Sequence, residues 1–320
     1  MTIYALSSGP GISGVAIIRI SGPACSKIIK SMTIGSFPKP RVATLKKINK
    51  INTNELIDEG IIIWFPGPNS YTGEDMAEFH VHGSRAVIDA IHISISKVEN
   101  CRLAEPGEFT KIAFQNNKID LIKAESIGDL IHAETELQRD QAVKLVQGNA
   151  SNYYNDLREK LIKSLSYIEA KIDFAEDDLP EKVLKEVQNS IKEIHKDINK
   201  IIEDNKIGEK IRDGFRVSIT GEVNAGKSSL LNLIAKRDVA IVSDEAGTTR
   251  DVIETYLNID GYPVLLADTA GIRAAKNEVE KKGISLALGK SKEADLNIVV
   301  IDNSSKGINN EIKKMINKDT

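Results

Sequence analysis

The fold of this chain is decided by eight residues in its C-terminal third, which read Gly221-Glu222-Val223-Asn224-Ala225-Gly226-Lys227-Ser228. They match the pattern G-x-x-x-x-G-K-[ST], in which the backbone N–H groups of a glycine-rich loop surround phosphates. In this pattern Lys227 reaches the β and γ oxygens, and the hydroxyl of Ser228 ligates Mg2+. An apolar strand pattern at Arg216–Thr220 precedes the loop, and a helix pattern at Lys227–Lys236 follows it. The positive N-terminus of that helix would face the anion, so the stretch predicts a P-loop nucleotide-binding domain.

Two shorter motifs follow the P-loop in the order that a nucleotide site requires. Gly247-Thr248-Thr249-Arg250-Asp251 lies in a loop before a strand pattern, where a threonine can close on the metal when a γ-phosphate is bound. Asp268-Thr269-Ala270-Gly271 follows the apolar strand pattern Val264–Ala267. There Asp268 can hold Mg2+ through water, and Gly271 can donate its N–H to the γ-phosphate.

The group that orients the attacking water is not in its usual place. Ile272 stands where Ras-type enzymes carry a glutamine, and its side chain cannot orient or activate water. Hydrolysis would therefore need another group, and Glu278 and Glu280 lie nearby in the sequence. From spacing alone, either could equally be a first-turn carboxylate that stabilises a helix.

The residues around these motifs, 213–320, alternate between strand and helix patterns. Val252–Ile259 and Pro263–Ala267 predict strands joined by a tight turn at Asp260-Gly261. Val279–Lys292 predicts a helix, and Leu296–Ile301 predicts a buried strand. This alternation predicts an α/β domain with a mostly parallel sheet and helices on both faces.

Residues 1–118 have a different pattern, with short apolar runs broken by glycine and proline. Val15–Ile20 and Gly60–Phe65 are such runs, Ala77–Val81 alternates and predicts a strand, and Ser84–Val98 has helical spacing. We interpret this region as an α+β domain.

Residues 119–212 predict long amphipathic helices, broken at Asp177-Asp178-Leu179-Pro180. Apolar side chains recur at intervals of three and four at Leu161, Leu165, Ile168 and Ile172, and again at Val183, Val187, Ile191, Ile194, Ile198 and Ile201. We interpret the charged faces between them as solvated. The predicted fold class is therefore multidomain α+β and α/β, with domains at residues 1–118, 119–212 and 213–320.

Composition and charge disfavour several classes of protein. The net charge of −3 creates no global field that attracts nucleic acid, so an RNA contact would need a local patch or a partner. Cys25 and Cys101 lie far apart and outside any C-x-x-C pattern, which disfavours a zinc site and favours a reducing compartment. Neither a signal peptide nor an apolar run of about 18 residues is present in the sequence, so we expect a cytoplasmic protein without a membrane anchor.

His80 and His82 alternate on one face of a predicted strand, and the sequence offers no third metal ligand beside them. A structural or polar role is therefore favoured over a zinc site, which needs at least three protein ligands.

The chain resembles the MnmE (TrmE) family of tRNA-modification GTPases along its whole length. The strings that carry the resemblance are Arg19–Gly22, Trp64–Asp75, Pro106–Phe109, Lys118–Leu121, Asn224–Ser228, Gly247–Asp251 and Asp268–Arg273. The resemblance implies an N-terminal folate-binding domain that also dimerises, a helical domain, and a Ras-like G domain inserted into the helical domain. It implies a homodimer that acts with the flavoprotein MnmG (GidA) on tRNA, at carbon 5 of the wobble uridine.

The same resemblance implies the cofactors GTP, Mg2+, K+ and a 5-formyltetrahydrofolate-type folate. Folate would contact Arg19, Glu78 and Lys118, which could otherwise be a surface ion-pair set. Mg2+ would be held by Ser228 and Thr249, and K+ by Asn224, Ser243, Glu245 and Thr248. The implied GTP contacts are Asn224, Ala225, Gly226, Lys227, Ser228, Ser229, Ser243, Asp244, Glu245, Ala246, Gly247, Thr248, Thr249, Asp268, Thr269, Ala270 and Gly271. Glu280 matches the family's water-positioning glutamate and is therefore favoured over Glu278.

The guanine-selecting motif N-K-x-D does not follow the strand pattern at Leu296–Ile301, because Asn317-Lys318-Asp319 lacks the spacer and a preceding strand. The family's C-terminal helices and its Cys-x-Gly-Lys motif are likewise not in the 320 residues. We therefore expect an incomplete G domain and the first half of a helical domain, with weak phosphate binding and poor guanine selection. Two functions remain open at this point: a GTP hydrolase of tRNA modification, or a non-hydrolysing remnant that binds folate and dimerises. The N-terminal strings disfavour a third, another Ras-like GTPase such as a ribosome-assembly factor.

Overall fold

A computed structural model describes residues 1–173, 181–221, 225–237, 240–241, 254–268 and 294–301. The chain forms two compact units, Met1–Ala124 and Glu125–Thr320, and each contains a hydrophobic core of its own. Within the described residues, no helix combines the length and the apolar character that crossing a membrane requires.

The first unit is built on a six-stranded sheet with the strand order β3-β4-β5-β2-β1-β6. Its strands are β1 (Thr2–Leu6), β2 (Ser13–Ser21), β3 (Thr44–Asn49), β4 (Leu56–Phe65), β5 (Met76–Gly83) and β6 (Cys101–Leu103). Its helices are α1 (Cys25–Met32), α2 (Arg85–Ser96) and α3 (Glu108–Gln115). Neighbouring strands are antiparallel except β1 and β6. The predicted α+β character, the strand at Ala77–Val81 and the helix at Ser84–Val98 are confirmed, and the apolar runs Val15–Ile20 and Gly60–Phe65 lie in β2 and β4.

One face of this sheet forms the core, and the other carries the polar side chains. Ala16, Ile18 and Ile20 of β2 are buried with Ile29 of α1 and Ile95 of α2. Because side chains alternate along a strand, the residues between them point to the opposite face. Arg19 therefore lies on the face away from the core.

Four helices follow: α4 (Leu121–His132), α5 (Glu136–Val146), α6 (Asn149–Asp173) and α7 (Glu181–Asp213). Thr135 and Gln138 form a capping box that begins α5, because each side chain bonds the other's backbone N–H. The long helices at 119–212 are confirmed, whereas the predicted break at 177–180 lies outside the described residues.

Among the described side chains of α6 and α7, few apolar residues are buried. The buried positions are Leu157 on α6 and Val187 and Ile194 on α7, and the Oγ atoms of Ser164 and Ser190 lie 3.3 Å apart. The predicted stripe residues of α6 remain partly exposed, from 41% at Ile168 to 70% at Ile172. The helical spacing is therefore confirmed, but the apolar residues of this stripe on α6 are not the ones that are buried.

The second unit contains a five-stranded sheet with the order β11-β7-β10-β9-β8. The strands are β7 (Phe215–Gly221), β8 (Ala240–Ile241), β9 (Glu254–Ile259), β10 (Tyr262–Asp268) and β11 (Leu296–Val300), and helix α8 spans Lys227–Arg237. Val217, Ile219, Leu257, Val264 and Leu266 form its core, against which Leu230 and Ile234 of α8 pack. The predicted strands and the helix after the P-loop are confirmed, but the predicted burial of the last strand is wrong: β11 is mostly half-buried, and Leu296 at its start is 45% exposed.

The prediction of a mostly parallel sheet is wrong for the described strands. β7 pairs in parallel with β10 and β11, whereas β9 pairs antiparallel with both β10 and β8. The cause is the turn at Asp260 and Gly261, whose φ angles of 49° and 88° reverse the chain within two residues. The predicted helix at 279–292 lies outside the described residues, so helices on both faces remain a prediction.

A hydrogen bond and an ion pair connect the last turn of α7 to the sheet that carries the P-loop. The hydroxyl of Tyr256 on β9 donates to the carbonyl of Asp213 over 2.9 Å. The ammonium of Lys210 lies 2.9 Å from the carboxylate of Asp295, which also accepts the N–H of Arg216. The pKa of Asp295 would rise through burial, but the bonds from Lys210 and Arg216 outweigh burial and lower it. These contacts fix the end of α7, from which the chain enters β7.

Candidate functional site

The backbone brings the P-loop and the second phosphate motif to one edge of the sheet. β7 and β10 are parallel, and Ile219 pairs with Asp268. The loop that follows Gly221 and the loop that follows Asp268 therefore start side by side, at the carboxyl ends of their strands. This is the edge at which open α/β sheets bind ligands.

Gly221 ends β7 at a position that has no room for a side chain. Its φ is 152°, and a Cβ atom built there would lie 2.3 Å from the carbonyl oxygen of Val300 on β11. Real Cβ atoms do not approach that closely, so the first glycine of the motif is required by the close contact of the two strands. It also frees the backbone to turn into the loop.

Lys227 begins α8 and reaches back across the P-loop. Its Nζ donates a hydrogen bond to the carbonyl oxygen of Gly221 over 2.8 Å. The N–H of Leu230 donates to the carbonyl of Gly226 over 2.9 Å, which opens the helix directly after the loop. The ammonium is thus held beside Gly221, where the motif that is predicted to surround phosphates begins.

Part of the predicted nucleotide site lies within the described residues and part outside them. The structure describes Ala225, Gly226, Lys227 and Ser229, together with the backbone of Ser228 and Asp268. Asn224, residues 243–249, residues 269–271, Ile272, Glu278 and Glu280 lie outside the described residues. The GTP, Mg2+ and K+ contacts of those residues therefore remain predictions.

A second polar constellation lies in the first unit, on the sheet face away from the core. Arg19 on β2 pairs directly with Glu78 on β5 in the strand register. The Nε and Nη2 atoms of Arg19 both donate to Oε1 of Glu78, over 3.1 and 2.9 Å. The other oxygen, Oε2, lies 3.3 Å from Nε2 of His80. The side chains of Arg19 and Glu78 are only 29% and 16% exposed.

Two aromatic rings contact the guanidinium of Arg19. Its Cζ atom lies 5.6 Å from the ring centre of Tyr71 and 5.7 Å from that of Phe109. Tyr71 comes from the loop between β4 and β5, and Phe109 comes from the first turn of α3. Both distances fall within the range of cation–π attraction. Sequence reasoning missed both rings as site residues.

Lys118 approaches the same region from the end of α3. A Cβ atom on Gly73 would lie 3.0 Å from Cε of Lys118, so the lysine stem runs across this glycine. Among the described residues Lys118 forms no ion pair, whereas Arg19 and Glu78 do. The alternative of a three-residue ion-pair set therefore fits Arg19 and Glu78 but not Lys118.

A buried network fixes the loop that carries Tyr71. Thr72 and Ser21 are both fully buried, and their hydroxyls lie 2.7 Å apart. Ser21 also donates to Oε2 of Glu74 over 2.8 Å. Asp75 accepts the N–H of Gly67 over 2.9 Å. These bonds fix the loop backbone next to Arg19.

His80 and His82 bind different carboxylates. His80 faces Glu78, whereas Nδ1 of His82 lies 2.8 Å from Oδ1 of Asp58. Burial raises the pKa of Asp58, but the hydrogen bonds from the backbone and ring of His82 and from the N–H of Glu59 outweigh burial and lower it. Among the described residues, no three histidine, cysteine or carboxylate side chains are grouped as a metal site.

Both candidate sites, the P-loop and the polar group around Arg19, lie in segments that match models of known protein families. Residues 2–118 match the family model for the GTP-binding protein TrmE N-terminus, and residues 121–318 match the model for the MnmE helical domain. This chain belongs to the MnmE (TrmE) family. Arg19, Glu78 and Lys118 fall within the first match, and the P-loop falls within the second.

Curated MnmE relatives align with nearly the whole chain. The tRNA modification GTPase MnmE of Pelagibacter ubique is 64% identical over 318 residues, which are 99% of this chain and 72% of that protein. The MnmE of Rickettsia bellii is 45% identical over 322 residues and is covered to 72%. The mitochondrial 5-taurinomethyluridine-[tRNA] synthase subunit GTPB3 of Danio rerio is 48% identical over 302 residues, which are 94% of this chain and 60% of that protein.

Proposed function

We propose that this chain is a potassium-activated GTP hydrolase of tRNA modification. It acts at carbon 5 of the wobble uridine in a carboxymethylaminomethyl-type reaction, with a flavoprotein partner of the MnmG (GidA) type. The observation that carries the proposal is the P-loop, with Lys227 bound across it beside the end of β10. The MnmE relatives and the uridine product in the name of the Danio rerio relative support the tRNA substrate.

The described part of the P-loop fits a nucleoside triphosphate. A lysine ammonium and a helix N-terminus both favour the β- and γ-phosphates, and they lie at the sheet edge where Asp268 ends β10. Ser228 and Thr249 would hold Mg2+, whose charge offsets that of the phosphates, and Asp268 would act through water. Glu280 would position the attacking water, because Ile272 cannot.

Potassium would supply the positive charge that an arginine finger supplies in other GTPases. Asn224, Ser243, Glu245 and Thr248 would hold it, partly through backbone carbonyls. A homodimer would order this loop across the two nucleotide faces.

In this proposal the three domains span residues 1–118, 119–212 and 213–320, and the protein acts in the cytoplasm.

The Arg19 constellation fits a folate of the 5-formyltetrahydrofolate type. Arg19 and Lys118 supply two cations for carboxylates, and Glu78 supplies an acceptor for the N–H donors of a pterin ring. The half-buried setting strengthens such charge-assisted bonds relative to bulk water. In this proposal the N-terminal unit holds the one-carbon carrier.

The tRNA role is tested by nucleoside analysis. The chain is expressed in a bacterium that lacks its own MnmE-type protein, and the modified uridines of digested tRNA are measured by mass spectrometry. Restored carboxymethylaminomethyl-type uridine is the expected result, with Lys227→Met as the negative control. If the wild-type chain folds, binds GTP and leaves the uridines unmodified, it lacks the proposed role in tRNA modification.

A further inference from the structure

The loop between β4 and β5 and the segment of α3 fasten to each other at three successive points. The Tyr71 hydroxyl lies 2.9 Å from Oγ1 of Thr110. The Asn116 side-chain amide donates to the Thr72 carbonyl over 2.7 Å. The aliphatic stem of Lys118 crosses Gly73. We name these two segments, residues 71–73 and 109–118, the clasp.

A cationic side chain lies at each end of the clasp. At one end, the rings of Tyr71 and Phe109 contact the guanidinium of Arg19. At the other, the Lys118 stem crosses Gly73, whose φ of 81° and lack of a side chain permit this contact. The separation of the two cations is therefore set by the fastening of the loop to α3.

Glu78 leaves most of the Arg19 guanidinium available. A guanidinium has five N–H donors, and Glu78 accepts one from Nε and one from Nη2. In the described part of the chain, Nη1 makes no hydrogen bond, while the rings restrict the plane of the group. An arginine held in one plane can bind a carboxylate through two parallel bonds, and one that rotates loses that geometry.

We propose that Tyr71 and Phe109 are positioning residues, which hold Arg19 in the orientation in which it binds a carboxylate of the ligand. The inference rests on the proposed folate site, because the ligand chemistry comes from there. The rings act through Arg19, and the bond between Tyr71 and Thr110 keeps both rings in one place.

The test uses the full chain and begins without ligand. The exchange of the Arg19 Nε–H with water is measured by NMR in the wild type, Phe109→Leu and Phe109→Tyr. We expect faster exchange, by at least about fivefold, in Phe109→Leu, and wild-type exchange in Phe109→Tyr, which restores a ring. Phe114→Leu is the matched control, because Phe114 lies on the same helix and is 43% exposed. Unchanged exchange in Phe109→Leu would overturn the inference.

The second readout is the Kd for 5-formyltetrahydrofolate by calorimetry. Phe109→Leu should weaken binding roughly 3- to 30-fold, and Phe109→Tyr should restore it. Tyr71→Leu serves as a second variant if Phe109→Leu lowers the unfolding midpoint. Wild-type binding with an unchanged Kd in both leucine variants overturns the positioning role alone. If the wild type does not bind folate, the folate part of the proposed function fails, and the carboxylate role of the rings fails with it.

Discussion

The Nζ of Lys227 donates a hydrogen bond to the carbonyl oxygen of Gly221, 2.8 Å away and six residues earlier in the chain. The bond links the two ends of the P-loop, from the end of β7 to the start of α8. A triphosphate that enters the loop offers the same ammonium a charged acceptor in place of a neutral carbonyl. A bond between an ammonium and an anionic oxygen is stronger than one between an ammonium and a neutral carbonyl, so the exchange favours the bound nucleotide.

Replacing Lys227 by methionine should weaken GTP binding roughly 10- to 100-fold, because one charge-assisted contact to the phosphates is lost. Binding is measured with a fluorescent GTP analogue in the presence of Mg2+. Lys163→Met is the matched control, since Lys163 is exposed on α6 and should bind like the wild type. Equal affinity of Lys227→Met and the wild type would remove Lys227 from the site.

Gly221→Ala should destabilise the second unit, because the new methyl group would lie 2.3 Å from the Val300 carbonyl. A cost of about 2 kcal/mol or more is expected from such a backbone clash. Differential scanning calorimetry measures it as a lowered midpoint for this unit. Gly128→Ala on α4 is the control: no atom lies within 4 Å of the added Cβ, and a small stabilisation is expected.

Lys118→Gln should weaken 5-formyltetrahydrofolate binding roughly 10-fold without changing the unfolding midpoint, because Lys118 forms no ion pair among the described residues. Arg19→Gln should weaken binding and also lower the midpoint, since it leaves the half-buried Glu78 without its partner. Calorimetric titration and thermal unfolding measure the two effects. A Lys118→Gln variant that binds as tightly as the wild type would remove Lys118 from the proposed folate site.

The first unit should lose stability in acid through Asp58. Its folded-state pKa is lowered, so the contribution is fully present above the ordinary carboxyl pKa of about 4 and is lost as pH falls through the folded value. The unfolding free energy, followed by the fluorescence of Trp64, should therefore decline in that range, and the decline should be shallower in Asp58→Asn. Asp89→Asn, at an exposed position of α2, is the control. An unaltered slope in Asp58→Asn would show that Asp58 does not contribute.

The motif predicted which residues belong to the P-loop, but not how they are held. The family resemblance singled out Arg19 and Glu78, whereas their contact depends on the register in which β2 pairs with β5. Tyr71 and Phe109 are 38 residues apart, and their contacts with Arg19 depend on how α3 packs on a loop. Such contacts have no local sequence signal.

The expectation of a mostly parallel sheet was wrong for a specific reason. It followed from the strand–helix rhythm, whereas the predicted two-residue turn at Asp260-Gly261 makes β9 and β10 antiparallel. On α6, periodicity identified a stripe through Leu161 and Leu165, which are exposed, whereas Leu157 and Ser164 of the same helix are buried. Helical spacing predicts which residues share a face, and the packing partner decides which of them are buried.

GTP hydrolysis by the purified 320-residue chain in potassium and in sodium is the measurement that bears most directly on the proposed enzyme. We expect turnover that potassium stimulates, that Glu280→Ala abolishes without loss of GTP binding, and that Glu278→Ala retains. Turnover that is equal in the two salts would refute potassium activation, and turnover that is absent from both while GTP still binds would refute the hydrolase itself.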